Sequence, residues 1–212
     1  MPAVQDNVSD IMLVVRSYLH TTLMNVHNTP LNRTVVGNIG QPDGEGSDGS
    51  GQAASLDESL VLTLVRTEED PTRKNQRNFR VNPLATDTGA HGIAYRTPPV
   101  GLNLYVLITA NYQNYGTALN QLSNVIAVFQ HRNRLTEATA AWPSDRLFSD
   151  KSLKFTLLSP TFEEENHLWS MLGGKQLPSV LYLVQTINLE LVPDRIQTGP
   201  PVTEIILHES LS

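Results

Sequence analysis

The stretch GLNLYVLITAN, residues 101–111, determines the fold. Every second side chain from 102 to 108 is a large aliphatic residue, whereas Tyr105 and Leu107 point to the opposite face. This alternation predicts a β-strand. The segment Leu60–Arg66 alternates in the same way and is apolar on both faces. Apolar residues on both faces predict a central strand rather than an edge strand.

Helices and further strands surround these two segments. Apolar residues at steps of three and four predict helices over Val8–Met24 and 116–130. A capping-box spelling, Thr161 with Glu164, begins a third helix that runs to Leu172. We also expect strands at Leu31–Val36, Ser152–Leu158, Ser179–Leu191 and Val202–His208. The order predicts an α/β (α+β) fold, with a mixed β-sheet flanked by helices.

The predicted domain covers residues 1–192, and residues 193–212 form a C-terminal extension with a final strand. Within the domain, residues 37–51 hold six of the thirteen glycines and one large apolar residue, Ile39. Such a run cannot bury enough surface to offset its conformational entropy. We therefore expect a mobile, flexible Gly-rich loop, either as a surface insertion or as a segment that orders against a partner.

Composition excludes several classes of function. The chain has 212 residues, a net charge of −6 and no cysteine. The negative charge argues against a dedicated nucleic-acid binder, which would neutralise phosphates with Lys and Arg. The absence of cysteine excludes disulfides and thiol chemistry. No apolar run approaches the ~18 residues of a spanning helix, so we expect no membrane insertion and a soluble, cytoplasmic protein.

The sequence contains no recognisable catalytic constellation. Neither Ser47 nor Ser50 has the flanking glycines of a nucleophile elbow. Gly173-Gly174-Lys175 is followed by Gln176, where a phosphate-binding loop requires Ser or Thr. The six histidines are scattered. We therefore predict no catalytic residue, no cofactor and no metal ligand, and the protein is not expected to be an enzyme.

Contact residues are the remaining candidates. A basic cluster follows the Leu60–Arg66 strand and includes Arg73, Lys74, Arg77 and Arg80. It is either a solvated loop or a patch that docks onto an acidic protein surface. Trp142 lies beside Pro143 in an expected loop, so it is a second candidate contact.

The order of segments resembles a known family. The residues that carry the resemblance are the N-terminal helix, the Leu60–Arg66 strand, Arg77-Asn78, Pro98-Pro99, the Leu102–Tyr112 segment, Glu164–Trp169 and Ser179–Val184. Together they resemble the N-terminal domain of the cap, or tail terminator, proteins of phage-tail-like contractile injection systems of the antifeeding-prophage type. The resemblance covers roughly residues 5–192. The Gly-rich run departs from the pattern, and longer relatives carry further C-terminal sequence.

The resemblance implies an architectural role. Such caps form a six-fold ring at the end distal to the baseplate and end polymerisation of inner tube and sheath. The implied partners are further copies of the chain, as a homohexamer, and the tube and sheath proteins. Assembly would occur in the cytoplasm, within a particle that is retained or released. Alternatives are a baseplate or other adaptor of the same particle, or a small ligand-binding or hydrolase domain.

The closed ring of a single subunit type requires a heterologous interface. The segment Val202–His208, with Val202, Ile205 and Ile206 as candidate contacts, is expected to add as a strand to a neighbour or to a sheath subunit.

Overall fold

The computed structural model describes residues 3–27, 33–41, 45–50, 53–73, 79–82, 92–95, 100–145, 147–148, 151–192 and 197–199. The helices of this part are α1 (Val8–His27), α2 (Tyr115–His131) and α3 (Phe162–Met171), with a 3-10 turn at Pro71–Arg73. Its strands are β1 (Ala3–Gln5), β2 (Thr34–Val36), β3 (Glu45–Ser47), β4 (Ala53–Ser55), β5 (Ser59–Glu69), β6 (Phe79–Asn82), β7 (Gly92–Tyr95), β8 (Val100–Asn111), β9 (Arg134–Thr136), β10 (Ser152–Leu158), β11 (Ser179–Val192) and β12 (Gln197–Gly199).

The main sheet has the strand order β4-β3-β2-β5-β8-β11-β10-β9, and β1 pairs with the end of β11. The pairing of β2 with β5 is parallel, and the other pairs of this sheet in the described residues are antiparallel. A separate three-stranded sheet has the order β12-β7-β6. The predicted mixed sheet flanked by helices is therefore confirmed.

The predicted alternation of β8 is also confirmed. Leu104, Val106 and Ile108 are buried in the main hydrophobic core. Cross-strand partners on β5 and β11 extend the same face, since Leu62 and Val180 both pair with Ile108. Leu107 is buried on the opposite face. The strand lies in the middle of the sheet because both of its faces are apolar.

The helices α1 and α2 supply side chains to the same core. α1 extends to His27, three residues beyond the predicted end. The Asn114 side chain caps α2 by accepting a hydrogen bond from the Thr117 N–H. From α2, the Phe129 ring stacks on Phe155 with centroids 4.5 Å apart and contacts Tyr182 at 4.9 Å. These rings connect α2 to β10 and β11.

The short helix α3 covers part of the other face. Its predicted capping box is present: the Thr161 hydroxyl accepts from the Glu164 N–H, and the Glu164 carboxylate accepts from the Thr161 N–H. Gly173 and Gly174, both with positive φ, follow its last turn as expected. Trp169 is 4% exposed and lines a cavity with Leu107. α3 therefore packs on the face of the sheet opposite α1 and α2.

The Gly-rich run differs from its predicted loop structure. Residues 45–47 form β3, which pairs with both β2 and β4. A Cβ on Gly46 would lie 2.2 Å from Val35 Cγ1 and 2.9 Å from the Val36 carbonyl oxygen. The glycine allows the backbone to approach β2 closely, which composition alone did not indicate. The loop prediction is therefore wrong at 45–47, and the mobility of the other residues stays a prediction.

Two predicted strands lie partly or wholly outside the described residues. The strand predicted at Leu31–Val36 is present at Thr34–Val36, and residues 31 and 32 lie outside the described part. The strand predicted at Val202–His208 also lies outside it. The Leu60–Arg66 segment is central only in its first half: β2 pairs with Leu60–Leu62, and no described strand continues on that side of β5.

Candidate functional site

The candidate site begins where β2 leaves β5. The Gly37 N–H donates to the Leu62 carbonyl oxygen at 3.1 Å. The Thr63 hydroxyl donates to the Gly37 carbonyl oxygen at 2.8 Å and accepts from the Ile39 N–H at 3.2 Å. These bonds end the β2 pairing and direct the chain away from the sheet. Beyond this point β5 pairs with β8 on one side, and its other edge has no strand partner among the described residues.

An apolar groove of about 550 Å³ lies along this edge. Its walls come from the start of α1, the end of β2, the middle of β5 and the end of α3. Its apolar lining includes Val8, Met12, Leu64, Val65, Leu168 and Met171. Leu64 is 37% exposed and Met171 is 75% exposed. We call this feature the β5 groove.

The β5 groove has apolar walls on both faces of the sheet. Leu64 pairs with Val106, which belongs to the core beneath α1 and α2. Leu168 and Met171 belong to α3, on the other face. The two walls meet at the sheet edge. A ligand there would contact apolar side chains above and below the plane of the sheet.

A β-bulge at Val65 changes the direction of the side chains that follow. The register shifts between Leu64 and Arg66, so that Arg66 pairs with Tyr105. The Arg66 guanidinium lies over the Tyr105 ring, 5.5 Å from its centroid. The bulge therefore brings a cation to the face that carries α3, next to the apolar groove.

Glu68 completes this polar cluster. The Tyr105 hydroxyl donates to Glu68 Oε2 at 2.7 Å, and the Arg66 guanidinium lies 3.7 Å from the same oxygen. The pKa of Tyr105 is raised, first because its hydroxyl donates to the Glu68 carboxylate and second because of burial. The Arg66 side chain remains 65% exposed. An accessible Arg66–Glu68 ion pair therefore follows Val65, the last residue of β5 that lines the groove.

A second sheet edge lies at β10, where no strand other than β11 within the described part of the chain pairs beyond residue 155. β9 pairs with Ser152–Lys154, and the Phe155 N–H donates to the Asn133 carbonyl oxygen at 2.7 Å. A cavity of about 340 Å³ lies between α2 and this edge. It is lined partly by Leu157, which is 47% exposed, and partly by polar residues such as Lys154. This edge is less apolar than the β5 groove.

Of the eight contact residues predicted from the sequence, only Trp142 has a described side chain. Its indole N–H donates to the Thr136 carbonyl oxygen at 3.2 Å, and its ring meets Phe148 edge-on at 4.9 Å. Trp142 is half-buried and packs against the main core. These contacts fix its position, and its role as a contact stays a prediction.

The side chains of the other seven predicted contact residues are not described. Arg73 ends the 3-10 turn and Arg80 lies in β6. Lys74, Arg77, Val202, Ile205 and Ile206 lie outside the described residues. The basic cluster and the tail therefore stay predictions. The β5 groove was not predicted, although Leu64 belongs to a segment whose apolar alternation was recognised.

The described residues contain no group of three or more His, Asp or Glu side chains that could hold a metal ion. No described helix is both long and apolar enough to span a membrane.

The family profile named Pvc16 N-terminal domain matches residues 11–204. The chain belongs to this family. The match confirms the resemblance that the order of strands and helices indicates. No curated protein matches the chain significantly.

Two solved structures are similar to this chain. A cryo-EM structure of the PVC sheath/tube terminator in the extended state, from an extracellular contractile injection system, is similar with a TM-score of 0.57 and 12% identity. The similarity covers 98% of this chain and 65% of that chain, so the chain spans about two thirds of the length of this relative. The anti-feeding prophage cap, a tube-terminating cap, has a TM-score of 0.46 and 17% identity, over 71% of this chain and 49% of that one.

Proposed function

We propose that the chain is a structural cap, or tail terminator, of a contractile injection system. In this role it forms a hexameric ring at the end distal to the baseplate and ends polymerisation of the inner tube and the sheath. The observation that supports this function is the shared fold with a sheath/tube terminator over 98% of the chain. Membership of the Pvc16 N-terminal domain family supports the same assignment.

The role requires matching surfaces rather than catalysis. A cap needs one surface that fits the last subunit layer and another that offers no site to the next layer. Identical subunits in a closed ring also need two different, complementary surfaces on each copy. The β5 groove, with its exposed Leu64 and Met171, is a surface of the required type.

Deletion of the gene from cells that produce the particle tests this function. Without a cap, we expect tubes and sheaths of variable and increased length, and re-expression of the chain should restore a narrow length distribution. Electron microscopy of purified particles measures both. Unchanged lengths with two normal ends would contradict the proposal.

Antibody labelling of intact particles tests the position of the chain. We expect the label at one tip only, opposite the baseplate. Label at the baseplate would instead support an adaptor function and would overturn the cap. The number of copies at the tip, counted in averaged images, tests the hexamer, and assembly is expected in the cytoplasm before any release of the particle.

A further inference from the structure

We propose that the β5 groove accepts the segment Val202–His208 of a second copy as an added β-strand. The inference rests on the proposed function, because it supplies the subunit contact of a ring made from one type of chain. It assigns an acceptor to a segment that the sequence predicts to be a strand.

The backbone of β5 is arranged to continue the ladder that β2 begins. The Leu60 N–H donates to the Arg33 carbonyl oxygen at 2.8 Å, and the Leu62 carbonyl oxygen accepts from the Gly37 N–H. Backbone groups that face one edge recur at every second residue of a strand. Leu64 is the next residue of this series, so its backbone groups face the edge that β2 has left. An added strand there would extend the sheet in line with β2.

The length of the open edge fits the segment. The edge runs from Thr63 to Glu69, which is as many residues as Val202–His208 contains. At a rise of ~3.3 Å per residue, either stretch spans roughly 20 Å. The two stretches have the same length, and the β-bulge at Val65 lies within the stretch of β5 that would pair.

The side chains also match. Because the β5 groove has apolar walls on both faces, its occupant must be apolar on both faces. If Val202–His208 is extended, Ile205 and Leu207 would face one side, while Val202 and Ile206 would face the other. A strand with one polar face would leave Leu64 or Met171 uncovered.

A second copy is the occupant that we infer, because a ring of identical chains requires a donor and an acceptor on each chain. This chain carries both an apolar edge groove and a strand-like segment. Pairing between copies repeats the same contact around the ring and closes it. The tail of the same chain and a strand of a sheath protein are the competing occupants.

Disulfide trapping tests the inference directly, since the chain has no cysteine. One full-length variant carries Thr67→Cys on the open edge of β5. It is mixed in turn with six full-length variants that carry a single cysteine at positions 202 to 207. We expect disulfide-linked dimers whose yield alternates along the six positions, because successive strand residues face opposite sides.

Thr156→Cys is the matched control, since Thr156 is an exposed residue of the same type on the open edge of β10. Dimers with this variant should stay at the background level of random collision. Equal yields at the β5 and β10 edges, or equal yields at all six tail positions, would overturn the inference. A chain that carries both cysteines and forms only an intrachain disulfide would assign the groove to its own tail instead.

A second measurement does not depend on cysteine chemistry. Leu64→Asp places a charge in the groove, and Leu157→Asp places one at the β10 edge. We expect Leu64→Asp to abolish self-association in analytical ultracentrifugation, with the circular dichroism spectrum unchanged and Leu157→Asp still associating. Loss of association in both variants, or in neither, would contradict the inference.

The inference and the proposed function fail separately. If trapping is absent while gene deletion still lengthens the particles, the cap function stands and the subunit contact is wrong. If trapping alternates while particle length is unaffected by deletion, the strand exchange stands and the cap function is wrong. If a thiol-to-amine crosslinker attached at Thr67→Cys captures sheath protein in purified particles and does not capture a second copy, the groove is a sheath site.

Discussion

The two halves of β5 differ although one sequence pattern runs through both. Leu60 and Leu62 are fully buried and lie between β2 and β8. Leu64 continues the same alternation but is 37% exposed, because β2 ends before it. The length of the neighbouring strand therefore decides whether an apolar residue of β5 stabilises the fold or forms a surface.

The largest expected effect is in the buried half. Leu62→Ala should lower the free energy of unfolding by about 2–5 kcal/mol, because the substitution leaves a cavity between helix and sheet. Denaturant titration measures the loss. Leu64→Ala in the open half is the matched control and should cost less than about 1 kcal/mol. Equal losses would break the distinction between the two halves.

The next largest effect is expected on the stability at alkaline pH, because Tyr182 is buried within the sheet. Tyr182 on β11 and Leu64 on β5 both pair with Val106 of β8. Tyr182 is only 3% exposed, because it lies deeper in the sheet. Burial raises the pKa of Tyr182 to about 12 from its ordinary 10.0. The folded state therefore holds this proton more tightly than the unfolded state. The contribution of this proton to the free energy of unfolding is fully present below pH 10. It should be lost as the pH rises from 10 to 12, by about 1.4 kcal/mol for each unit by which folding raises the pKa.

Tyr182→Phe should remove part of this alkaline loss. Unfolding titrations at pH 8 and at intervals up to 12 measure it, with the difference between variant and parent at pH 8 as the control. The pKa of Tyr112 is also raised by burial to about 12, so Tyr112→Phe should flatten the curve further. A variant curve parallel to that of the parent would show that Tyr182 is not buried as described.

A smaller effect is expected beside the β2 pairing. Gly46→Ala adds a Cβ into the space of Val35, so the backbone or Val35 must move. Such overpacking costs about 1–3 kcal/mol. Ala53→Ser, at an exposed position of the neighbouring strand β4, is the control and should be neutral. No loss from Gly46→Ala would mean that β3 does not pack closely on β2.

The smallest effect is in the wall of the β5 groove. Thr161→Ala removes the cap of α3 and should cost about 1 kcal/mol. Hydrogen exchange should increase in α3 and stay unchanged in α1, because the helices lie on opposite faces. Ser159→Ala, just before the cap, is the control. An equal increase of the exchange rate in α1 and α3 would indicate that the two helices unfold together, and would contradict this prediction.

Much of the fold could be predicted because its signals are local. The period-two pattern of residues 102–108 predicted both the strand and the face of each side chain. The capping box of α3 and the glycines that follow it were recognisable for the same reason. Strand order was not predictable, because the pairing of β8 with β5 and β11 joins segments far apart in the chain.

The candidate groove could not be predicted, since its existence depends on contacts between distant segments. Leu64 is apolar in the sequence whether or not a strand covers it. Its exposure depends on Thr63, whose hydroxyl bonds to Gly37 and directs the chain away. The bulge at Val65 has no sequence signature, yet it sets the position of Arg66. β3 was not predicted, because the glycine content of residues 37–51 indicates a high conformational entropy but does not show that Gly46 lets two strands approach closely.

The long-range pairing of β8 has a kinetic consequence. Ile108 pairs with Leu62 on β5 and with Val180 on β11, and each pairing closes a loop of dozens of residues. Domains with many such non-local pairings fold more slowly than helical bundles, which need microseconds to milliseconds. The α1 wall, the β5 edge and the α3 wall exist together only when this slow step is complete. Newly synthesised chains therefore pass through a waiting time before they can join any assembly.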